Sequence, residues 1–287
     1  MKLNKLLILG LASSLVFTAC KDDEIDPGTD PGTGNGGGDT TPTAITVDGS
    51  ASLTFGSVLS THIDTIAEDS VVVENGTNLS WNFDWLVEEQ TVESDVVDPA
   101  STQWASFFSN ATVGVKEGTR TVFMEQSATG VVALGMSDYI AEADLDTCML
   151  FSDPMTLLEY PMEYGDTYSD TYFSSIVVDG QGISYNGISP DSAKIVIEGS
   201  SQSEVDGWGE LVLPSGTYEV LKLTRIESTT TTISVKTSFT GDAWIEIESS
   251  TEDITSVQFY DNNNVTPILE LSKPTGNATF ETASFMN

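Results

Sequence analysis

The segment 44–287 is a succession of short β-type runs separated by turn residues, without a long helical pattern. In Lys194–Glu198 isoleucines alternate with other residues, and Thr217–Glu227 is a longer strand-like run. A period of two is typical of strands with one buried face. The intervals between runs are too short for helical crossovers, which favours antiparallel pairing. The sequence predicts one all-β domain over 44–287, mainly antiparallel, built as a curved sheet or a two-sheet sandwich.

Local signals predict one hairpin and one or two short helices. Pro214–Gly216 lies between two strand-like runs and indicates a tight turn. Asp98 followed by Pro99 is typical of a helix start. The apolar residues that follow share one helical face: Ala100, Trp104, Phe107 and Phe108. The segment 137–146 is predicted as a second short helix or a loop.

The N-terminus has the pattern of a signal peptide. A cationic start, Met1–Lys5, precedes the apolar run Leu6–Phe17. Twelve helical residues rise about 18 Å, too short for a hydrocarbon core of about 30 Å, so the run predicts a cleaved signal peptide rather than a membrane span. Phe17–Cys20 resembles a bacterial lipobox. The resemblance implies cleavage of residues 1–19, acylation of Cys20 and anchoring by two or three acyl chains.

An acidic run and a flexible linker follow the lipobox. The segment 20–43 is therefore predicted to contain the acylated cysteine, an export signal and a linker that tethers the domain to the membrane. The residues Lys21, Asp22, Asp23 and Glu24 resemble the lipoprotein export signal of Bacteroidota. The resemblance implies the outer leaflet of the outer membrane, with the protein facing the cell exterior. A plain solvated linker is the alternative. Residues 25–43 contain six Gly, three Pro and five Thr, a composition too polar to fold alone.

The charge balance excludes one class of partner. The chain has 44 acidic residues against 10 basic ones, a formal net charge of −34. Cleavage after residue 19 removes Lys2 and Lys5 and leaves 8 basic residues, hence −36. Such a chain repels phosphate, so no nucleic-acid partner is predicted. If Cys20 is acylated, Cys148 has no internal disulfide partner and is predicted to be a buried, inert thiol.

Two sets of side chains are candidate binding residues. Glu142, Asp144 and Asp146 are spaced by two, and carboxylate oxygens suit Ca²⁺, although an acidic surface loop is the alternative. No other cofactor is predicted. Trp81 and Trp85 alternate with polar residues and are candidates for stacking on a ligand ring, with a core role as the alternative.

A short Asp-Ser/Thr-apolar pattern occurs at several positions and resembles the O-glycosylation signal of Bacteroidota. In one linker instance a Thr takes the apolar place. The resemblance implies modification of the hydroxyl residue in each: Thr40, Thr65, Ser70 and Ser192.

Three longer sequence segments resemble those of a known protein family. Ser152–Asp166, Asp206–Gly209 and Leu213–Tyr218 occur in an order that resembles an uncharacterised β-rich family of secreted Bacteroidota proteins, over about 76–272. Many members carry a C-terminal sorting domain for type IX secretion. None is expected here, so the lipid would take over the anchoring. The family implies no catalytic residues. The hairpin at Pro214 and its following strand also resemble periplasmic carriers of the LolA-like kind.

Three functions remain open at this point. The favoured one is a non-enzymatic binding module that recognises a glycan, a protein or an envelope component at the cell surface. The second is a secreted hydrolase that uses a carboxylate pair. The third, implied by the LolA-like resemblance, is a carrier of lipid or another apolar ligand. Exposed aromatics on an acidic surface would favour the binding module. A closely spaced pair of carboxyl groups in a groove would favour the hydrolase, and a deep apolar cavity would favour the carrier.

Overall fold

The fold is a single β-sheet that closes on itself. The computed structural model describes residues 43–66, 71–140, 145–180, 189–238 and 241–286. The strands within these ranges are β1 (Val58–Thr65), β2 (Gly76–Asn82), β3 (Gln90–Val97), β4 (Val113–Glu117), β5 (Arg120–Ser127), β6 (Gly130–Ile140), β7 (Leu145–Glu159), β8 (Thr167–Asp179), β9 (Ser192–Leu213), β10 (Gly216–Lys236), β11 (Ile245–Tyr260), β12 (Leu269–Pro274) and β13 (Thr282–Phe285).

Strand order shows how the sheet closes. It runs β10-β11-β12-β13-β1-β3-β4-β5-β6-β7-β8-β9, and the last strand of this order, β9, pairs with the first, β10. Twelve strands thus form a closed barrel, and β2 is an additional strand that pairs in parallel with the second half of β9. The other pairings in the described residues are antiparallel. The predicted all-β, mainly antiparallel class is confirmed, and the curved sheet is closed.

The predicted hairpin is confirmed and is the longest in the protein's described part. Leu213 pairs with Gly216, and the pairing of β9 with β10 continues to Ser192 and Lys236. Val205, Leu221 and Leu223 of this hairpin pack into the barrel interior. Leu211 and Val220, near the turn, pack in the cluster on the outer face of the sheet.

The predicted helices are wrong. Only Pro99–Ser101 forms a helical turn in this region, a 3₁₀ turn with Asp98 as its cap. Ser101 Oγ donates to the Asp98 carbonyl at 2.7 Å, and Thr102 Oγ1 donates to the Pro99 carbonyl at 2.8 Å. These hydroxyls compete with backbone N–H groups for the carbonyls that a helix would use. The segment 137–146, predicted as a second short helix or a loop, supplies the end of β6 up to Ile140 and the start of β7 from Leu145, and residues 141–144 lie outside the described ranges.

The aromatic residues of the predicted helix nevertheless anchor their loop. Phe108 stacks on Phe123 of β5, with ring centroids 4.1 Å apart and planes 10° from parallel. Phe123 is flanked by Gly114 of β4 and Gly135 of β6. A Cβ on Gly135 would lie 2.8 Å from Phe108 Cε1, so this glycine leaves room for the ring. The loop 98–112 is therefore held to the outside of the barrel.

We expect Phe108→Ala to lower the free energy of unfolding by about 3–5 kcal/mol, because it empties a buried aromatic site between two glycines. Urea unfolding followed by circular dichroism measures the change. Phe107→Ala is the matched control, since Phe107 is 55% exposed and should alter stability by less than about 0.5 kcal/mol. Equal losses from both substitutions would contradict this account of the loop.

Two apolar clusters lie on opposite faces of the sheet. Tyr260 of β11 packs in the barrel interior, whereas its neighbour Phe259 packs on the outer face. The outer cluster is covered by Trp81 of β2 and by Phe83 and Leu86, which follow it. The segment 71–86 therefore forms a second layer over parts of β9–β13, and these strands are buried on both faces where that layer covers them.

Buried tyrosines make the barrel sensitive to alkali. Burial raises the pKa of Tyr160 to about 12 and also raises the pKa values of Tyr168, Tyr172 and Tyr260. Unfolded tyrosines ionise near pH 10. The stabilisation is complete below pH 10 and is lost as pH rises through the higher folded values, because the folded state then retains protons that the unfolded state releases.

We therefore expect cooperative unfolding above about pH 10, with tyrosinate absorbance rising together with loss of the β-sheet circular dichroism. Tyr160→Phe should make the transition less steep with pH, while Tyr164→Phe, at a 44% exposed position, should leave it unchanged. Tyrosinate formation by the buried groups in a protein that keeps its β-sheet signal would contradict the expectation.

Candidate functional site

A groove runs along β2 on the outer layer. Its volume is about 350 Å³, within the roughly 300–1,000 Å³ range of small-molecule sites. The residues that line it are Val71, Val72, Glu74, Leu79, Ser80, Trp81, Asn82, Phe83 and Trp85. The groove joins an apolar floor, continuous with the outer cluster, to exposed polar groups at the rim.

The two tryptophans predicted to stack on a ligand have different environments. Trp81 is 5% exposed, meets Phe259 edge-on at 5.1 Å, and its Nε1 donates to the Glu74 carbonyl at 3.2 Å. Trp85 is 39% exposed, and its Nε1 donates to the Asn82 carbonyl at 3.2 Å. Trp81 is therefore a core residue and not a stacking platform. Trp85 presents an oriented, partly exposed ring.

A second, smaller site lies inside the barrel. This cavity has a volume of about 80 Å³ and two unlike walls. The apolar wall comes mainly from β5–β7: Met124, Val131, Met155, Leu157 and Leu158. The polar wall comes from β10–β12: Arg225, Glu227, Thr229, Glu252, Ser256, Gln258 and Glu270. Thr266, from the turn before β12, also lines it.

Arg225 of β10 binds β7 at a place where β7 has few paired residues on β8. Within the described residues β7 and β8 pair only at Phe151–Ser174 and Asp153–Phe173. Beyond that point, Arg225 Nη1 donates to the Leu157 carbonyl at 3.1 Å and Nη2 to the Thr156 carbonyl at 2.8 Å. These bonds satisfy carbonyls that a regular ladder would otherwise bind.

Glu227 is held in a hydrogen-bonded network at the polar wall. Tyr172 Oη donates to Glu227 Oε1 at 2.7 Å and lies 2.5 Å from Thr229 Oγ1. Arg225 Nε lies 3.7 Å from Glu227 Oε2. The charge of Glu227 also contributes to the raised pKa of Tyr172, after the larger effect of burial. The carboxylate thus has structural partners on both oxygens.

The remaining predicted site residues are dispersed or lie outside the described residues. Asp146 is exposed at the start of β7, while Glu142 and Asp144 are not described. No group of three potential metal ligands is found in the described ranges. Thr65 is exposed at the end of β1, and Ser192 is half-buried between β8 and β10. Outside the description lie Cys20, Lys21, Asp22, Asp23, Glu24, Thr40 and Ser70.

Cys148 and His62 have ordinary strand environments. Cys148 is partly buried on β7, and burial raises the pKa of its thiol, which disfavours the thiolate nucleophile. His62 Nδ1 lies 3.1 Å from Glu88 Oε2 and 3.2 Å from Thr91 Oγ1. The ring also packs 5.7 Å from Phe285. These contacts fit structural roles.

Sequence reasoning missed Lys222, Arg225 and Glu270 as residues of interest. All three are at least nine-tenths buried. A signal was present for two of them: the chain has only 10 basic residues, and Lys222 and Arg225 stand in the middle of an apolar strand run. Scarce cations at strand centres indicate buried ion pairs or cavity walls.

No family model, no curated protein and no solved structure matches this chain. Among the described residues, none of the helical segments has the length and apolar character needed to traverse a bilayer. The class defined by these observations is a closed, mainly antiparallel β-barrel with an outer layer and a surface groove.

Proposed function

We propose that this protein is a lipid-anchored, non-enzymatic binding module of a Bacteroidota-type cell surface, and that its β2 groove binds a neutral glycan. The observation that carries the proposal is the partly exposed Trp85 ring at the edge of a groove that also presents Glu74 and Asn82. An aromatic face with nearby hydrogen-bonding groups suits a sugar ring, which has an apolar face and a hydroxyl rim.

The charge of the chain narrows the ligand class. A mature net charge of −36 repels anionic polymers over the screening length of the medium. Glu74 lies in the groove itself and would oppose a carboxylated or sulfated sugar at short range. Neutral sugars are therefore preferred as ligands over acidic ones.

The carrier hypothesis receives less support from the size of the barrel cavity. An engineered apolar cavity of roughly 150 Å³ binds benzene. The cavity here measures about 80 Å³, so it has no room for an acyl chain in this conformation. An apolar-ligand carrier would need a wider interior.

The hydrolase hypothesis also receives less support. Glycoside hydrolysis by the usual route requires two carboxyl groups about 5–10 Å apart in a space that admits the sugar. Of the described residues that line the β2 groove, Glu74 is the acidic one. The barrel cavity has several acids but lacks the room for a sugar ring.

We expect the mature chain from residue 20, carrying Cys20→Ser to keep it soluble, to bind a subset of neutral glycans on an array. Trp85→Ala should reduce that binding by at least about tenfold, because it removes the stacking surface. Phe107→Ala is the matched control, since it removes an exposed aromatic ring outside the groove. Undiminished binding by Trp85→Ala would refute the groove as the glycan site.

A further inference from the structure

We propose that the side chains of Lys222 and Asn75 become joined by an amide bond, which forms in the folded protein with loss of ammonia and with Asp206 as the proton carrier. The bond would link β10 of the barrel to the residue that precedes β2 in the outer layer. Three groups that such a reaction needs meet at this place: an amine, a carboxamide carbonyl and a proton acceptor. Formation of the bond and glycan binding in the β2 groove are independent of each other.

The fold brings the three residues together around Gly207 of β9. Gly207 pairs with Lys222 on β10 and with Gly76 on β2, so that Asn75 lies at the edge of the same site. Asp206 is left unpaired by the β-bulge that precedes Gly207, and a bulge can redirect a side chain. Lys222 and Asn75, which are 147 positions apart in the sequence, thereby come into hydrogen-bond contact.

Lys222 supplies the nucleophile. Its side chain is fully buried, and its Nζ lies 2.9 Å from Asn75 Oδ1. The carbon of a carbonyl group lies about 1.2 Å from its oxygen, so Nζ is at most about 4 Å from Asn75 Cγ. Reacting atoms in a near-attack geometry are about 3–3.5 Å apart. A displacement of about 1 Å or less therefore brings the amine to attacking distance.

The surroundings of Lys222 allow its ammonium group to lose a proton, as attack on a carbonyl carbon requires. Burial lowers the pKa of Lys222, although the hydrogen bond and the charge of Asp206 act in the opposite direction. Asp206 Oδ1 lies 2.5 Å from Nζ and is the acceptor for the proton. Thr224 Oγ1 donates to the other carboxylate oxygen, Oδ2, at 2.7 Å and so orients the carboxylate.

The reaction balances without any further reactant. The lone pair of Lys222 Nζ forms the new bond to Asn75 Cγ, and the bond between Cγ and Nδ2 breaks with its electron pair on Nδ2. Nζ loses two protons, which pass one after the other through the Asp206 carboxylate to Nδ2. The leaving group is ammonium, Asp206 ends as the carboxylate that it was, and no atom is oxidised or reduced. Asn75 is exposed, so the ammonium ion escapes directly into solvent.

The bond would fasten one side of the β2 groove to the barrel. Glu74, which lines the groove, directly precedes Asn75. The link would also restrict the unfolded chain by closing a long loop, as a disulfide does. In Asn75→Ala the bond cannot form and Lys222 keeps its charge. This variant is therefore the parent protein for measurements on the Lys222–Asp206 ion pair itself.

The test is mass spectrometry of the mature Cys20→Ser chain, folded, incubated and then denatured. We expect the chain to be lighter than its sequence predicts by the mass of one ammonia molecule. Cleavage after glutamates separates the segments 75–88 and 220–227 from the rest of the chain. We expect these two segments to be recovered as one covalently linked fragment.

Variants assign the roles of the three residues. Asn75→Ala should have the full mass of its sequence and release the two segments separately. Asn277→Ala, which removes an exposed asparagine elsewhere, should keep the linked fragment. Asp206→Asn should form the link at least about tenfold more slowly, because it removes the proton carrier while the two linked residues remain. If Asp206→Asn does not fold, the mass and fragments of the unaltered mature chain decide.

Two results would overturn the proposal. One is a chain that keeps the full mass of its sequence, with the segments 75–88 and 220–227 separate, after long incubation of the folded protein. The other is loss of ammonia with the two segments still separate. That result would mean that the Asn75 side chain has cyclised onto the backbone nitrogen of Gly76 rather than reacted with Lys222.

Discussion

Lys222→Met should lower the free energy of unfolding by about 3–5 kcal/mol, because it leaves the buried carboxylate of Asp206 without its cation. Lys222 is fully buried, and Asp206 is 8% exposed. An uncompensated charge in such a place costs more than the net contribution of the intact pair. The loss is measured by urea unfolding.

The contacts of Lys222 explain the size of the expected loss. Its Nζ lies 2.5 Å from Asp206 Oδ1 and donates to Asn75 Oδ1 at 2.9 Å and Thr224 Oγ1 at 3.3 Å. Thr224 Oγ1 in turn donates to Asp206 Oδ2 at 2.7 Å. Burial lowers the pKa of Lys222, and the hydrogen bond and charge of Asp206 act in the opposite direction. The ion pair is therefore costly to break.

The same lysine connects the outer layer to the barrel. Its bond to Asn75 holds the residue just before β2. A Cβ on Gly207 would lie 3.0 Å from Lys222 Cε and 3.1 Å from Trp81 Cζ2, so the lysine and this tryptophan are packed around the glycine. Lys222→Met is therefore expected to weaken glycan binding in the β2 groove in addition to stability.

A double variant separates the lost ion pair from lost packing. Lys222→Met combined with Asp206→Leu removes both charges and fills the space, which is often neutral or stabilising for buried pairs. We expect the free energy of unfolding of the double variant to lie within about 1 kcal/mol of that of the parent protein. A single Lys222→Met variant as stable as the parent would show that Asp206 is not an uncompensated buried charge there.

Cys20→Ser should release the protein from the membrane fraction completely, because it removes the thiol that the lipobox resemblance identifies as the acylation site. Anchoring by two or more acyl chains is effectively stable, since each buried CH₂ contributes about 0.8 kcal/mol. Metabolic labelling with palmitate and fractionation of cells that express the chain measure the effect. Cys148→Ser is the matched control and should keep both label and membrane association.

The acidic run after Cys20 is tested separately. Replacement of Asp22, Asp23 and Glu24 by Ala should preserve acylation but leave the domain protected from protease added to intact cells. The parent protein should be digested under the same conditions. Retention of palmitate and membrane association by Cys20→Ser would contradict the lipoprotein assignment, and protection of the parent would contradict surface exposure.

Local patterns predicted the strands well and the helices badly. The alternation in Lys194–Glu198 and the turn at Pro214–Gly216 depend on neighbouring residues, and both appear as predicted in β9 and β10. The apolar face of 100–108 looked helical, but Phe108 is buried against Phe123, and Ser101 and Thr102 cap a single turn. Tertiary contact and side-chain hydrogen bonds outweighed the helical period there.

The candidate sites were predictable in part. The interleaved Trp81 and Trp85 pointed to the β2 segment, yet only the folded structure distinguished the core ring from the partly exposed one. The cavity had no sequence signature, because its walls come from strands that are distant along the chain. Arg225, for example, binds carbonyls 68 and 69 residues away.

By itself, the sequence determined the strand content, the antiparallel preference and the acidic character, because these follow from alternation, short connections and composition. Only the tertiary structure decided that β13 near the end of the chain pairs with β1 and closes the barrel. It also decided the bulge at Asp206, where Val205 pairs with Leu223 and Gly207 with Lys222. Register and closure depend on contacts between distant residues, and so does the choice of partner for each buried charge.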